Sequence, residues 1–205
     1  MIKNIVFDMG QVLIHWTPDL LIDRHNLPVQ DRDLIKRELF SSIEWVQLDH
    51  GTITEDQALE QICARLPRHL HPAADALIRA WWVPPFYPME GIEDLIRELK
   101  ENGYRIFLLS NAGLPLRQYF PRLPGADCFE GFLVSAEEKL LKPQAEIFRT
   151  LLGRYGLEAG ESLFIDDLPA NCEGAVRAGM YGCIFRGDVG QLRKELQRMG
   201  VRCHE

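Results

Sequence analysis

The sequence predicts an α/β fold, a doubly wound parallel sheet carrying a small all-helical cap, and three observations support it. From residue 89 onward, short apolar runs alternate with amphipathic helical segments, the pattern of strands buried on both faces and joined by crossover helices. A similar apolar run, Ile2 to Phe7, opens the chain. Between the two, from about Pro18 to Trp82, helical periodicity takes over and no strand-like run interrupts it. A chain of 205 residues holds one core domain plus a small accessory piece. Residues 1–14 and 89–205 are therefore assigned to the core, and 15–88 to the cap.

The first strand ends at Asp8-Met9-Gly10, where glycine permits a turn. In the cap, helical spacing covers 31–40. Thr54-Glu55-Asp56-Gln57 forms a capping box, in which the threonine and glutamine side chains each take up the other's backbone N–H, opening a helix through Leu66. A further helix covers 72–82, so three or four helices are expected. Pro84-Pro85-Phe86-Tyr87-Pro88 is stiff, because proline fixes its own φ and restricts its predecessor, and it returns the chain to the core. The core series then runs helix 91–101, strand 104–109, helix 116–120, strand 131–134, helix 144–155, strand 162–165, helix 170–178, strand 182–185 and helix 189–198.

Bulk properties narrow the function. No apolar run approaches the ~18 residues of a membrane-spanning helix, so no membrane partner is expected. The net charge of −7 comes without a Lys/Arg-rich block, which removes the electrostatic footprint of a nucleic-acid binder. An anionic substrate must be attracted locally, inside a site. The N-terminus reads directly into Ile5-Val6-Phe7 without a secretory pattern, and the five cysteines are scattered without paired C-x-x-C spacing. A cytosolic protein with reduced thiols is the expectation.

In a parallel sheet, ligands sit outside the carboxyl ends of the strands. Polar groups stand at those ends in sequence: Asp8, then Ser110-Asn111, and Asp166-Asp167, with Lys142 opening a helix. Singly each is unremarkable. Together they match the needs of phosphoryl transfer: an in-line nucleophile, a cation for the equatorial oxygens and fixed donors around the group in flight. Asp8 can attack phosphorus to form an aspartyl-phosphate. Magnesium prefers oxygen ligands, and Asp8, Asp167 and a backbone carbonyl supply them. Lys142 brings positive charge to Asp8 and the phosphoryl group, and Ser110 and Asn111 donate hydrogen bonds to its oxygens.

These segments, Ile5 to Leu13, Leu108 to Asn111, Lys142-Pro143 and Phe164 to Asn171, resemble the four ordered motifs of the haloacid dehalogenase superfamily. The match leaves out residues 15–88, where one subgroup of that family carries its helical cap. The resemblance implies that Asp8 is the nucleophile, Ser110 the phosphate-binding hydroxyl and Lys142 the stabilising lysine. It makes Asp166 and Asp167 the acidic metal pair, with Asp167 the direct ligand of Mg2+. Gln11, just past the nucleophile, is a candidate substrate contact or a residue that fixes the turn.

One departure matters. Family phosphatases usually carry a second aspartate, the general acid and base, two residues after the nucleophile, and here that residue is Gly10. Glycine keeps the backbone carbonyl that ligates metal in the family but brings no proton. General acid–base help is worth ~10²–10⁴ in rate, so a small phosphorylated metabolite with a good leaving group, such as a sugar 1-phosphate, is the expected substrate. The form Phe-Asp-x-Gly-x-Val-Leu resembles a branch that includes sugar-phosphate phosphatases. His15 or a cap residue is the place to look for a replacement acid. Two alternatives stand beside the Mg-dependent phosphatase. A metal-free 2-haloacid dehalogenase is compatible with Gly10, although the paired Asp166-Asp167 would repel an anionic haloacid. A catalytically weak phosphate- or partner-binding protein is the other.

Overall fold

The computed structural model describes residues 1–204. Its centre is a five-stranded, all-parallel sheet, β1 (Asn4–Phe7), β2 (Arg105–Ser110), β3 (Phe129–Val134), β4 (Ser162–Asp166) and β5 (Tyr181–Ile184), in the order β3-β2-β1-β4-β5. The chain builds outward from β1 to β3, then returns to the other side of β1 for β4 and β5. The strand order therefore reverses between β1 and β4, the position at which an open α/β sheet leaves a crevice for ligand.

Side chains that alternate along each strand supply two cores. Ile5 and Phe7 of β1, Ile106 and Leu108 of β2, and Ile165 of β4 face α6 (Ile92–Glu101) and α11 (Val189–Arg198). Val6, Phe107, Leu109 and Phe164 face the opposite way, onto α9 (Ala145–Tyr155) and α10 (Pro169–Arg177). Burial on both faces explains why these strands read as continuous apolar runs.

The segment between β1 and β2 is helical, as its periodicity predicted: α1 (Pro18–Ile22), α2 (Val29–Ile35), α3 (Ile43–His50), α4 (Glu55–Cys63) and α5 (His71–Arg79) precede α6. The expected helix over 31–40 becomes α2 followed by a π-type turn over Lys36–Phe40, and the Thr54–Gln57 capping box is present. These helices close around an apolar core of their own that includes Leu21, Ile35, Leu39, Ile62, Leu70 and Leu77. The segment departs from and rejoins the sheet through one neck, where His15 N donates to Tyr87 O (2.8 Å) and Met89 N to Leu13 O (2.9 Å). The stiff proline segment thus pairs with the outgoing strand. Trp81, Trp82 and Phe86 pack around Tyr119 of α7 (Leu116–Tyr119), with ring centroids 5.4 to 5.7 Å apart. Their aromatic area is largely used to seat the helices on the core.

Candidate active site

Asp8 follows the last residue of β1, and its backbone N–H donates to Ile165 O (2.9 Å), which ties it to β4. Asp166 ends β4 and is fully buried. Lys142, whose side chain is 1% exposed, lies 2.7 Å from Asp8 Oδ1 and 2.7 Å from Asp166 Oδ2. One buried ammonium thus bridges two buried carboxylates across the strand reversal. Burial alone would lower the Lys142 pKa, but the charges of Asp8 and Asp166 outweigh it and hold the amine above its ordinary value. Burial pushes the Asp8 carboxyl up to about 6, against the pull of Lys142 and with help from the charge on Asp166.

Asp166 is saturated by protein donors. Besides Lys142, Oδ1 accepts from Leu168 N (2.8 Å), and the Asn171 amide reaches both oxygens at 3.0 and 3.1 Å. Asp166 is therefore a clamp that aims Lys142. Asn171, in the first turn of α10, holds the acidic loop through these contacts. Asp167 is only half-buried, and burial and the charge of Asp166 raise its pKa. Asp8, Asp166 and Asp167 each bring a carboxylate oxygen within 4.8 Å of the others. Three carboxylates against one ammonium leave an excess of two negative charges, which suits a divalent cation. Gly10, beside them in the cavity wall, has a backbone carbonyl that accepts no hydrogen bond among the described residues.

Two sequence candidates hold the site together. The Asn111 side chain accepts from Lys142 N (2.9 Å) and donates to Lys142 O (3.1 Å). That paired contact anchors the lysine's loop to the end of β2 and leaves one amide hydrogen for a ligand. Gln11 sits at φ +57° and accepts from Trp16 N at 2.8 Å, fixing the turn after the nucleophile. Ser110 is 2% exposed and lines the cavity. His15, a possible acid from sequence, is exposed and absent from the cavity wall; the chain turns it outward as it enters the neck. Cys172 packs under Asp166, and burial pushes its thiol up to about 12, so it is an inert small side chain.

A cavity of about 810 Å³ opens above this floor. Its upper walls come from the helical segment and include Trp16, Trp45, Leu48, Ile53, Ile78 and Trp81. Trp16 packs against Trp45 and Trp81 with centroids 5.7 and 6.1 Å apart. The sequence reading missed the charged residues of this wall: Glu55, Asp56 and Arg79, which pair with one another, and Asp49, in the last turn of α3. A lone aspartate on a helix carries no signal by itself. The available clue was its position two residues before Gly51, the left-handed glycine that ends the helix.

The geometry agrees with comparisons to known proteins. A family model for haloacid dehalogenase-like hydrolases matches residues 2–179. The chain is 29% identical over 199 residues to a sesquiterpene phosphatase of Aspergillus oryzae, covering 97% of each protein. It is 32% identical over 202 residues to a glyceraldehyde 3-phosphate phosphatase of Pyrococcus abyssi, covering 91% of this chain and 82% of that one. A HAD family enzyme from Bacteroides thetaiotaomicron, solved with magnesium and inorganic phosphate, superposes with a TM-score of 0.70 at 26% identity, over 94% of this chain and 99% of that one. With Asp8, Ser110, Lys142 and the Asp166-Asp167 pair gathered at one strand reversal, the chain belongs to the haloacid dehalogenase-like hydrolases.

Proposed function

We propose that the protein hydrolyses a small phosphate monoester, with Mg2+ as cofactor and Asp8 as the nucleophile that forms an aspartyl-phosphate. The observation that carries this reading is the Lys142 ammonium 2.7 Å from both Asp8 and Asp166, beside a third carboxylate on Asp167. A dianionic phosphoryl group needs that positive charge, and the carboxylates need a cation if they are to accept an anion at all. Asp8, Asp167 and the Gly10 carbonyl are the groups suited to hold Mg2+, and the ion would neutralise charge on the phosphoryl oxygens. Lys142 compensates charge on Asp8 and on the phosphoryl group as it moves. Ser110, at the end of β2, donates to a phosphoryl oxygen.

The organic half of the substrate lies under the helical cap, against Trp16, Trp45 and Trp81. Aromatic and aliphatic walls favour an apolar group over a sugar, and kinship to a sesquiterpene phosphatase supports the same preference. Phosphate release should be measured on a panel of terpenyl, simple alkyl and sugar phosphates, with and without Mg2+, beside Asp167→Asn. Release is expected to require Mg2+. Asp167→Asn is expected to raise the Mg2+ concentration for half-maximal rate about tenfold or more, since even outer partners of metal ligands are worth ~10–100-fold in affinity. Metal-independent halide release from 2-haloacids, with silence on every phosphate ester, would overturn the reading.

A further inference from the structure

We infer that Asp49, on the helical cap, is the general acid and base of this site, replacing the carboxyl that Gly10 lacks. The inference rests on the phosphatase reading, and takes the proton donor from a different part of the chain than the nucleophile loop.

Position is the first argument. Asp49 lines the same cavity as Asp8, Ser110 and Lys142 but comes from the helical segment rather than from a strand end, so it can meet the leaving group when Asp8 attacks phosphorus from the floor. Among the described residues its half-buried carboxylate makes no side-chain hydrogen bond and no ion pair, whereas the buried carboxylates of the floor, Asp8 and Asp166, are both tied to Lys142. An unengaged carboxyl facing a cavity is available for proton transfer. The groups whose charges reach it are Lys142 and Asp8 from the floor, and it in turn bears on the Tyr119 hydroxyl of α7. Burial pushes the Asp49 carboxyl up to about 7, with Lys142 opposing and Asp8 reinforcing the shift. A group poised near neutrality serves both as acid and as base.

Anchoring is the second argument. The end of α3 is fixed to the core at the point where Asp49 sits. Ser135, which opens α8 (Ser135–Glu138), donates its hydroxyl to Asp49 O and accepts from Ala112 N (2.9 Å). Gly51, at φ +70°, lies so close to Ala136 that an added Cβ would stand 2.0 Å from the Ala136 carbonyl oxygen. Glu44, buried on the same helix, accepts from Arg65 Nη1 (2.9 Å) and Nη2 (2.8 Å), and these bonds hold its carboxyl down to about 2. The helix that carries Asp49 is thus held at both of its ends.

The step balances with water as the only other reactant. An Asp8 oxygen bonds to phosphorus while the bond from phosphorus to the ester oxygen breaks, leaving its electron pair on that oxygen. Asp49 gives its proton there and the alcohol departs. The Asp49 carboxylate then takes a proton from water as the water oxygen bonds to phosphorus. The Asp8–phosphorus bond breaks with its electrons returning to Asp8, which releases inorganic phosphate and restores the acid. The case for an activated ester rested on Gly10 alone, and Asp49 removes the need for activation.

The test is the dependence of kcat/KM on leaving-group pKa in the wild-type enzyme and in Asp49→Asn, which keeps the shape and the backbone contact to Ser135. The wild type should hydrolyse alkyl phosphates and p-nitrophenyl phosphate with a shallow dependence. Asp49→Asn should lose about 10²–10⁴-fold on the alkyl ester, the usual worth of a general acid, and less than about tenfold on p-nitrophenyl phosphate, so that the dependence becomes steep. An equal loss on both esters, or no loss, overturns the assignment. If the variant does not fold, the wild type decides alone, because a steep dependence in the unmodified enzyme also overturns it. A wild type inactive on every phosphate ester refutes the phosphatase reading itself.

Discussion

Replacing Asp8 with Asn is expected to lower kcat by roughly 10⁴-fold or more, on the scale seen when a covalent nucleophile is removed from a hydrolase, without lowering the melting temperature. The two halves of that expectation have separate causes. Activity falls because the amide oxygen is a poor nucleophile and no other carboxylate can replace it: Asp166 is held by Lys142, Asn171 and Leu168 N, and Asp167 is the proposed metal ligand. Stability holds because Lys142 is shared between two carboxylates, and Asp8→Asn leaves it paired with Asp166 at 2.7 Å. The change also removes one negative charge from a cluster with too many. Thermal melts in metal-free buffer, run beside phosphate-release kinetics, separate the two halves.

Lys142→Met is expected to fail in both respects. Methionine fills much of the same volume but leaves Asp8 and Asp166 buried without their counter-charge. Breaking a buried ion pair by removing one partner costs about 3–5 kcal/mol, which for a chain of this length lowers the melting temperature on the order of 10 °C. Activity is expected to fall below detection, because the phosphoryl group loses its fixed positive charge. The double variant Lys142→Met with Asp8→Asn should recover part of the lost stability and none of the activity. A melting temperature unchanged in Lys142→Met would mean that the bridge contributes little to the fold.

The contrast between these two residues shows what was legible in the sequence. Asp8, Ser110, Asp166 and Asp167 stand at the ends of strands buried on both faces, and such strands announce themselves as short apolar runs whose last residue is polar. Lys142 has no strand to mark it and was found through the chemistry it completes. The parallel sheet was readable for the same reason, with strand limits correct to within two residues. Division of labour within the site was less readable. Asn111 was assigned to ligand by its neighbourhood and Gln11 to either ligand or turn, and each makes a backbone contact that shapes a loop. Whether an amide side chain faces a ligand or its own backbone depends on local dihedral angles that residue identity does not fix.

The segment between β1 and β2 was legible as helical and little more. Helix α3 carries no apolar stripe, since Ile43 and Val46 are 63% and 46% exposed while Glu44 is buried against Arg65, so periodicity gave no sign of it. Helix α1 is a single turn capped by Thr17, too short for any pattern. Asp49 was hidden along with α3. Its role depends on a contact more than eighty residues away, at Ser135 and Ala136, which no local signal encodes.

The central claim, covalent phosphoryl transfer to Asp8, is tested most directly by acid-quenching the enzyme during turnover in Mg2+ and mapping the peptides by mass spectrometry. One phosphoryl group is expected on the peptide that contains Asp8, lost on hydroxylamine treatment as an acyl phosphate must be, and absent without Mg2+ or in Asp8→Asn. Full turnover by Asp8→Asn, with no adduct on any peptide of the wild type, would contradict the account.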